Sequence, residues 1–312
     1  MNIEKLVTHS GKFHIDEVMS TMILQELYPA AEIIRTRDED IIKEAVGNAV
    51  IYDVGSMYDP DHGIYDHHQQ PGPLRDDEVP YSSFGLIWKH FGRDFLRKID
   101  CAEENIETIW SRFDRHYVRP VDMIDNGVIS PSGMGEVRAL SLASMISDLN
   151  PPYYAQTREN ENDLFFEALD IAVTAVMARL EQMTADLAAQ QEVQTAIEAQ
   201  WGSEVLILEQ GLPYNQAIEK LQADHIKLVV HPRSDGDWIV AGVPLIRGEY
   251  PLRMDLPKSW GGLEGKALQQ ATEVAGAVFC HAKLFMAVGR SREDATEMAK
   301  EALSLQQAPS PS

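Results

Sequence analysis

Ala49-Val50-Ile51-Tyr52-Asp53-Val54-Gly55 is a continuous apolar run that stops at an aspartate and a glycine. A run without polar alternation suits a strand of a buried parallel sheet. Working outward, Lys5 to Thr8 is a shorter strand pattern, and Asp16-Glu17 opens a helix to about Leu27. Val18, Met19, Met22, Ile23 and Leu27 sit at helical spacing within it. Ala31 to Arg35 reads as a second strand and Glu39 to Val46 as a short helix. Strands alternating with helices predict an α/β fold whose N-terminal domain has a mainly parallel sheet flanked by helices. Ligands of such sheets sit beyond the carboxyl ends of the strands. His9 and Asp53 both fall at such ends.

Downstream, Gly63 to Tyr65 is a brief extended piece that delivers Asp66-His67-His68. Gln69 to Pro80 reads as a loop. Helical patterns follow at Ser83–Phe91, Ala102–Arg115, Tyr117–Asn126 and Val137–Leu149. Asn160 to Gln200 has neither Gly nor Pro and is rich in Ala, Glu, Gln, Leu and Met, which predicts one long helix or a helical pair. Strand and helix patterns resume from Val205 to Leu305, with a frayed tail at Ala308–Ser312. The expected division is a catalytic domain over 1–155, a helical connector over 156–202 and a smaller α/β domain over 203–308.

The chain has 312 residues, 44% of them apolar and 24% charged, an ordinary globular balance. No run of about 18 uncharged apolar residues occurs, so no membrane span is predicted. The N-terminus has neither a signal-peptide nor a transit-peptide pattern, and a cytoplasmic protein is expected. Cys101 and Cys280 are the two cysteines; they form no disulfide framework and no Cys-x-x-Cys zinc pair. The formal charge of -22 opposes broad binding of long polyanions. Small anionic substrates and short oligonucleotides remain compatible with it.

The polar clusters carry the chemistry. Thr8-His9-Ser10-Gly11-Lys12-Phe13-His14-Ile15-Asp16-Glu17, Asp53, Asp66-His67-His68 and Asp122-Met123-Ile124-Asp125-Asn126-Gly127 recur between hydrophobic runs. His and Asp hold hard or borderline divalent metals, and so many carboxylates need a cation to share one dry site. A loop leaving a strand can turn His9, His14 and Asp16 toward one point; the alternative is satisfied loop histidines. An aspartate ending a buried strand, as Asp53 does, is costly unless paired. Within Asp66-His67-His68, one imidazole can ligate while the other faces substrate, and Asp66 can hold the ligating ring by its other nitrogen. Asp122 and Asp125 are one helical turn apart and are expected on one face, as ligands or as a solvated face. Gly261-Gly262-Leu263-Glu264-Gly265-Lys266 does not have phosphate-loop spacing, and no Gly-x-Ser-x-Gly elbow occurs.

Taken together, these motifs, in this order and spacing, resemble the melanocyte-proliferating-gene family of metal-dependent hydrolases within the DHH phosphoesterase superfamily. The resemblance runs to about Arg292. It implies a DHH domain followed by a C-terminal substrate domain, and phosphoester hydrolysis with Mn2+ or Mg2+, two per chain; some members are 3′–5′ RNA exonucleases. By position it implies that His9 and His14 hold one metal, that Asp16, His67 and Asp125 hold the other, and that Asp53 bridges. His68 would face the scissile phosphate, with Asp66 beside it, and Asp122 would lie behind the ligands or serve as an alternative one. His281 and Arg253 match family positions and would position substrate from the C-terminal domain, joined by Lys283, which departs from the family's V-H-A-S-G-F stretch and adds a positive charge. Trp260-Gly261-Gly262-Leu263-Glu264 lacks two arginines of the family's W-R-G-L-R stretch. An arginine is the usual phosphate clamp, so the change bears on which substrate fits.

The leading expectation is therefore a two-metal phosphodiesterase acting on short RNA. One rival is a hydrolase of a phosphorylated small molecule or pyrophosphate, favoured by the acidic surface and missing arginines. Another is a non-catalytic metal-binding module. The long Ala-rich helix is the candidate surface for a homodimer.

Overall fold

The computed structural model describes residues 3–129 and 131–307; the tail Ala308–Ser312 lies outside them. The chain forms two compact units, Met1–Thr184 and Ala185–Ser312.

The first unit begins β1 (Lys5–Thr8), α1 (Ile15–Leu27), β2 (Glu32–Arg35), α2 (Glu39–Ala45), β3 (Ala49–Tyr52), β4 (Tyr58–Asp59) and β5 (Ile64–Tyr65). Helices α3 (Ser83–Lys98), α4 (Ile106–Phe113), α5 (Arg119–Asp125) and α6 (Leu142–Asp148) follow, and a π-helical turn, Asp114–Val118, joins α4 to α5. The sheet order is β2-β1-β3-β5-β4, parallel except for β4. Strand alternation decides which helix covers which face. Val7, Ile51 and Ile64 pack with Ile42 and Ala45 of α2. Tyr52, one residue on, bonds its hydroxyl to Thr21 of α1 at 2.7 Å, so α1 lies on the opposite face. The connections leaving β1 and entering β3 thus run on different faces, and the β1/β3 boundary is the switch point where open α/β sheets place their ligands.

One helix expected over Val137–Leu149 is instead 3-10 turns over Pro131–Leu140, broken by a kink at Gly135, and then α6. The Ser141 hydroxyl accepts the Ser144 N–H and starts a new helix there.

α7 (Arg158–Ala199) is a single helix that passes from the first unit into the second. The second unit continues with β6 (Val205–Ile207), α8 (Asn215–Lys220), β7 (Leu228–Pro232), β8 (Trp238–Gly242), α9 (Gly265–Thr272), β9 (Ala277–Cys280), β10 (Met286–Gly289) and α10 (Arg292–Gln307). Its sheet, β6-β7-β8-β10-β9, is parallel only at β6–β7. Leu228 and Val230 face Met298 and Ala302 of α10, whereas Val229 between them packs with Val193 and Ile197 of α7. Among the described residues no helix is long and apolar enough to cross a membrane.

Candidate metal centre

The strand ends at the switch point gather the polar clusters. His9 follows β1, Asp53 follows β3, and Asp66-His67-His68 follows β5. The first turn of α1 adds Asp16 and Glu17, and the last turn of α5 adds Asp125.

Asp53 occupies the left-handed region, with φ 53°. Aspartate tolerates this conformation better than most residues, at some cost in strain. Its N–H donates to the Ser83 hydroxyl at 2.8 Å, and that hydroxyl donates to the Tyr65 carbonyl at 2.9 Å. One side chain at the start of α3 therefore ties the ends of β3 and β5 together. The Asp53 carboxylate spans two imidazoles, with Oδ2 3.3 Å from His9 Nε2 and Oδ1 3.4 Å from His67 Nε2.

Around His9, Nε2 also lies 3.0 Å from Glu17 Oε1, and both residues are buried. His9 Nδ1 is 3.1 Å from the Ser10 carbonyl, which can only accept, so Nδ1 carries the hydrogen. In the neutral ring the lone pair is then on Nε2, the nitrogen that faces two carboxylates. The arrangement requires either an imidazolium or a cation shared with those carboxylates. His14, Glu17 and His9 bring one donor atom each within 4.8 Å of one another.

Around His67, the arrangement is more demanding. Its Nε2 is buried and makes no hydrogen bond, yet it lies 3.3 Å from Asp125 Oδ2, 3.4 Å from Asp53 Oδ1 and 3.8 Å from Asp16 Oδ2. Asp16 is fully buried and accepts the N–H groups of Ser83 at 3.1 Å and Phe84 at 2.5 Å. A helix N-terminus thereby fixes its orientation. Ligands held about 2.1 Å from one ion at right angles are about 3.0 Å apart, and at wider angles farther. The separations around His9 and His67 fall in that range, so the residues fit divalent cations, and Asp53 stands between the two groups.

Titration of these groups follows from the same geometry. Burial works against charge on His9 and His67, but the neighbouring carboxylates overcome it and raise them to about 10 and about 9. Burial likewise opposes ionisation of Asp53, yet the His67 and His9 contacts hold it below the usual carboxylate range. Asp16 and Asp125 are pushed upward by burial, and Asp53 close to each adds to the rise.

Two expected roles are corrected by the placement. Asp66 holds His68 and not the His67 ring: its Oδ1 is 2.7 Å from His68 Nδ1 and also takes the His67 N–H at 2.8 Å. Its Oδ2 takes the Ser56 N–H at 2.6 Å. Asp122 is not with Asp125. Residues three apart on a helix still differ by about 60° in azimuth, and Asp122 turns toward α3. Its Oδ1 accepts the Ser82 N–H at 3.0 Å and the Ser82 hydroxyl at 2.8 Å. Its Oδ2 accepts Arg75 Nε, while the rest of that guanidinium grips Asp114 at 2.8 and 3.0 Å. Burial raises Asp122 to about 6 in spite of Arg75. Gly85 permits this approach, since a Cβ there would overlap Asp122 Oδ1.

In the second unit, Arg253 is occupied structurally. Its Nη1 donates to the carbonyls of Ala223 at 2.8 Å and Ile226 at 3.0 Å, and its Nη2 to Asp224 at 3.1 Å. The His281 ring lies 4.3 Å from that of Phe285, its Nδ1 accepts the Lys283 N–H at 3.1 Å, and Lys283 is exposed.

Glu17, Arg37 and Arg138 were missed from the sequence. Glu17 was legible as the acid of a capping box at His14-x-x-Glu17, where its two oxygens accept the His14 N–H at 3.0 and 3.1 Å. Arg37 and Arg138 carry no local motif; they line, with the histidines and aspartates, a cleft of about 890 Å³ in the first unit.

The family profile MYG1_exonuc, described as Uncharacterised protein family (UPF0160), matches residues 5–303. MYG1 exonuclease of Bos taurus is 31% identical over 334 residues, spanning 98% of this chain and 86% of the relative. MYG1 protein of Dictyostelium discoideum is 29% identical over 321 residues, spanning 96% of each. Among solved structures, RecJ of Thermus thermophilus in complex with Mn2+ is 14% identical, with a TM-score of 0.29 over 98% of this chain and 53% of that one.

Proposed function

The chain belongs to the MYG1_exonuc family, and from that premise we propose that it is a metal-dependent phosphodiesterase that shortens small oligoribonucleotides from an end, using two divalent cations held at the strand ends of the first unit. The observation that carries this reading is His67 Nε2, buried, without a hydrogen bond, and faced by three carboxylates. His9, His14 and Glu17 are the donors for one cation; Asp16, His67 and Asp125 are those for the other; Asp53 offers an oxygen to each. Manganese suits this mixed imidazole and carboxylate set.

Bound there, the cations supply charge to the phosphoryl oxygens and acidify water. The residues do the rest. Asp66 holds His68 by Nδ1, leaving Nε2 for a phosphoryl or leaving-group oxygen. The Asp66 bond, helped by the charge on that carboxylate and opposed by burial, raises the His68 pKa. That shift favours the protonated ring, whose Nε2 can donate where charge builds on the leaving oxygen. Ser83 fixes the Asp53 backbone without using the carboxylate oxygens that face the imidazoles, and the Ser83 and Phe84 N–H groups at the α3 N-terminus orient Asp16. With a net charge of -22, the chain favours short anionic substrates over long ones.

Elemental analysis together with hydrolysis of a short RNA in added Mn2+ tests the reading. Two equivalents of cation per chain and release of mononucleotides are expected. A protein loaded with metal that leaves a panel of short RNAs and dinucleotides intact would refute it.

A further inference from the structure

We propose that Arg37 and Arg138 form a second anion position in the metal cleft, so that the preferred substrate carries a terminal phosphomonoester besides the phosphate that is cleaved. The inference rests on the phosphodiesterase reading above and deepens it. Arg37 lies between β2 and α2, and its Nε donates to the Ser10 carbonyl at 3.0 Å, one residue from His9. That bond brings the side chain to the strand ends and uses one of five guanidinium donors. Arg138 reaches the same cleft from the segment Pro131–Leu140.

Both arginines are exposed, and among the described residues they are the only Lys or Arg side chains lining the cleft. Four aspartates line it too, Asp53, Asp66, Asp125 and Asp148, yet among the described residues neither guanidinium is ion-paired with any of them. In a chain with 49 acidic residues against 27 basic ones, two arginines without a carboxylate partner in an acidic cleft are poised for a ligand anion. A single internal phosphodiester carries one negative charge, and the cation-binding cluster already meets it. A terminal phosphate carries roughly -1.5 to -2 at neutral pH. It matches two guanidinium forks in charge and in its three acceptor oxygens. The cleft volume of about 890 Å³ suits a ligand of dinucleotide size.

Equilibrium binding to the Mn2+-loaded protein tests this without turnover. The probes are three diadenylate analogues whose linkage is a methylene phosphonate: one with no terminal phosphate, one with a 5′-phosphate and one with a 3′-phosphate. One phosphorylated form is expected to bind about tenfold or more tighter than the bare analogue, and which form does so identifies the end that is recognised. Arg37→Ala and Arg138→Ala should each abolish that gain while leaving the bare analogue's affinity unchanged. Arg37→Lys should restore only part, since the fork is lost. Equal binding of all three analogues, or a gain that survives in the double variant, overturns the proposal. Hydrolysis of unmodified diadenylate is read separately; its absence would refute the phosphodiesterase reading while the binding ratios still decide the role of the arginines.

Discussion

Asp53→Asn tests the proposed bridging role of Asp53. Asparagine tolerates the left-handed backbone at this position, and the N–H that donates to Ser83 is kept. The change therefore removes a charge and little else. With cation at 100 times its Kd, binding stabilises the native state by about 2.7 kcal/mol. For a cooperative unit the size of Met1–Thr184, each kcal/mol moves Tm by about 2–4 °C, so each occupied cation position should raise the wild-type Tm by about 5–11 °C. Asp53 stands 3.3 Å from His9 Nε2 and 3.4 Å from His67 Nε2, so the substitution weakens both positions at once. Even a loss behind the ligands lowers metal affinity 10–100-fold. At about 100-fold weaker binding, the same cation concentration contributes about 0.4 kcal/mol, or about 1–2 °C, per position. The absolute Tm will fall as well, because the ionised carboxylate pairs with both imidazoles. The quantity to read is hence the metal-induced increment, by scanning calorimetry with and without Mn2+. An Asp53→Asn increment equal to that of wild type would refute the bridging assignment.

Three further outcomes follow from the geometry. His9 and His67, raised to about 10 and about 9, are protonated at pH 7.5 where no cation is bound; since a ligating imidazole must be neutral, binding should release about two protons, read as a buffer-dependent heat by titration calorimetry. Affinity should rise as pH climbs toward 9 and then 10 and level off beyond, as release fades; chelator-treated protein should lose stability between about pH 6.5 and 10, because both folded-state pKa values exceed the unfolded value near 6.5. Gly85→Ala should destabilise by on the order of 3 kcal/mol although alanine is the better helix former, because its Cβ would overlap Asp122 Oδ1; an unchanged Tm would contradict the packing. Arg75→Met should cost about 3–5 kcal/mol at pH 8 by leaving Asp122 buried and charged, and clearly less at pH 5, because Asp122, raised to about 6 by burial, takes up a proton there. Denaturant unfolding at the two pH values reads this difference.

Much of the candidate site was legible because it stands at strand ends, where sequence pattern and position coincide. The apolar run into Asp53 marked both a strand and its carboxyl end, and Asp66-His67-His68 follows another strand, β5. What escaped was set by tertiary placement. Asp122 and Asp125 have identical local credentials, one turn apart on α5; only the packing of α5 against α3 sends the first to Ser82 and Arg75 and the second to His67. Arg253 sits beside Leu256-Pro257, where substrate contact was expected, but the carbonyls of Ala223 and Ile226 that claim its guanidinium are 30 and 27 residues away in sequence. The mixed sheet of the second unit was likewise hidden, since alternation identifies a strand but not the direction of its neighbour.

Charge explains why the centre is built as it is. Asp16, Glu17, Asp53, Asp66 and Asp125 stand at one end of one sheet, and the first four are buried. Carboxylates so placed repel one another and lose hydration, and folding tolerates them only if positive charge is within reach. Protons on His9 and His67 supply part of it, each held between the same carboxylates that are placed to share a cation. Proton and metal would thus compete for one set of lone pairs, and either would offset the charge of Asp53. A hydrophobic residue at Asp53 would satisfy neither. Asn at that site keeps the backbone but weakens the exchange, so the metal increment and the proton release should shrink together in one variant. Loss of one without the other would show that Asp53 does not link the two halves of the centre.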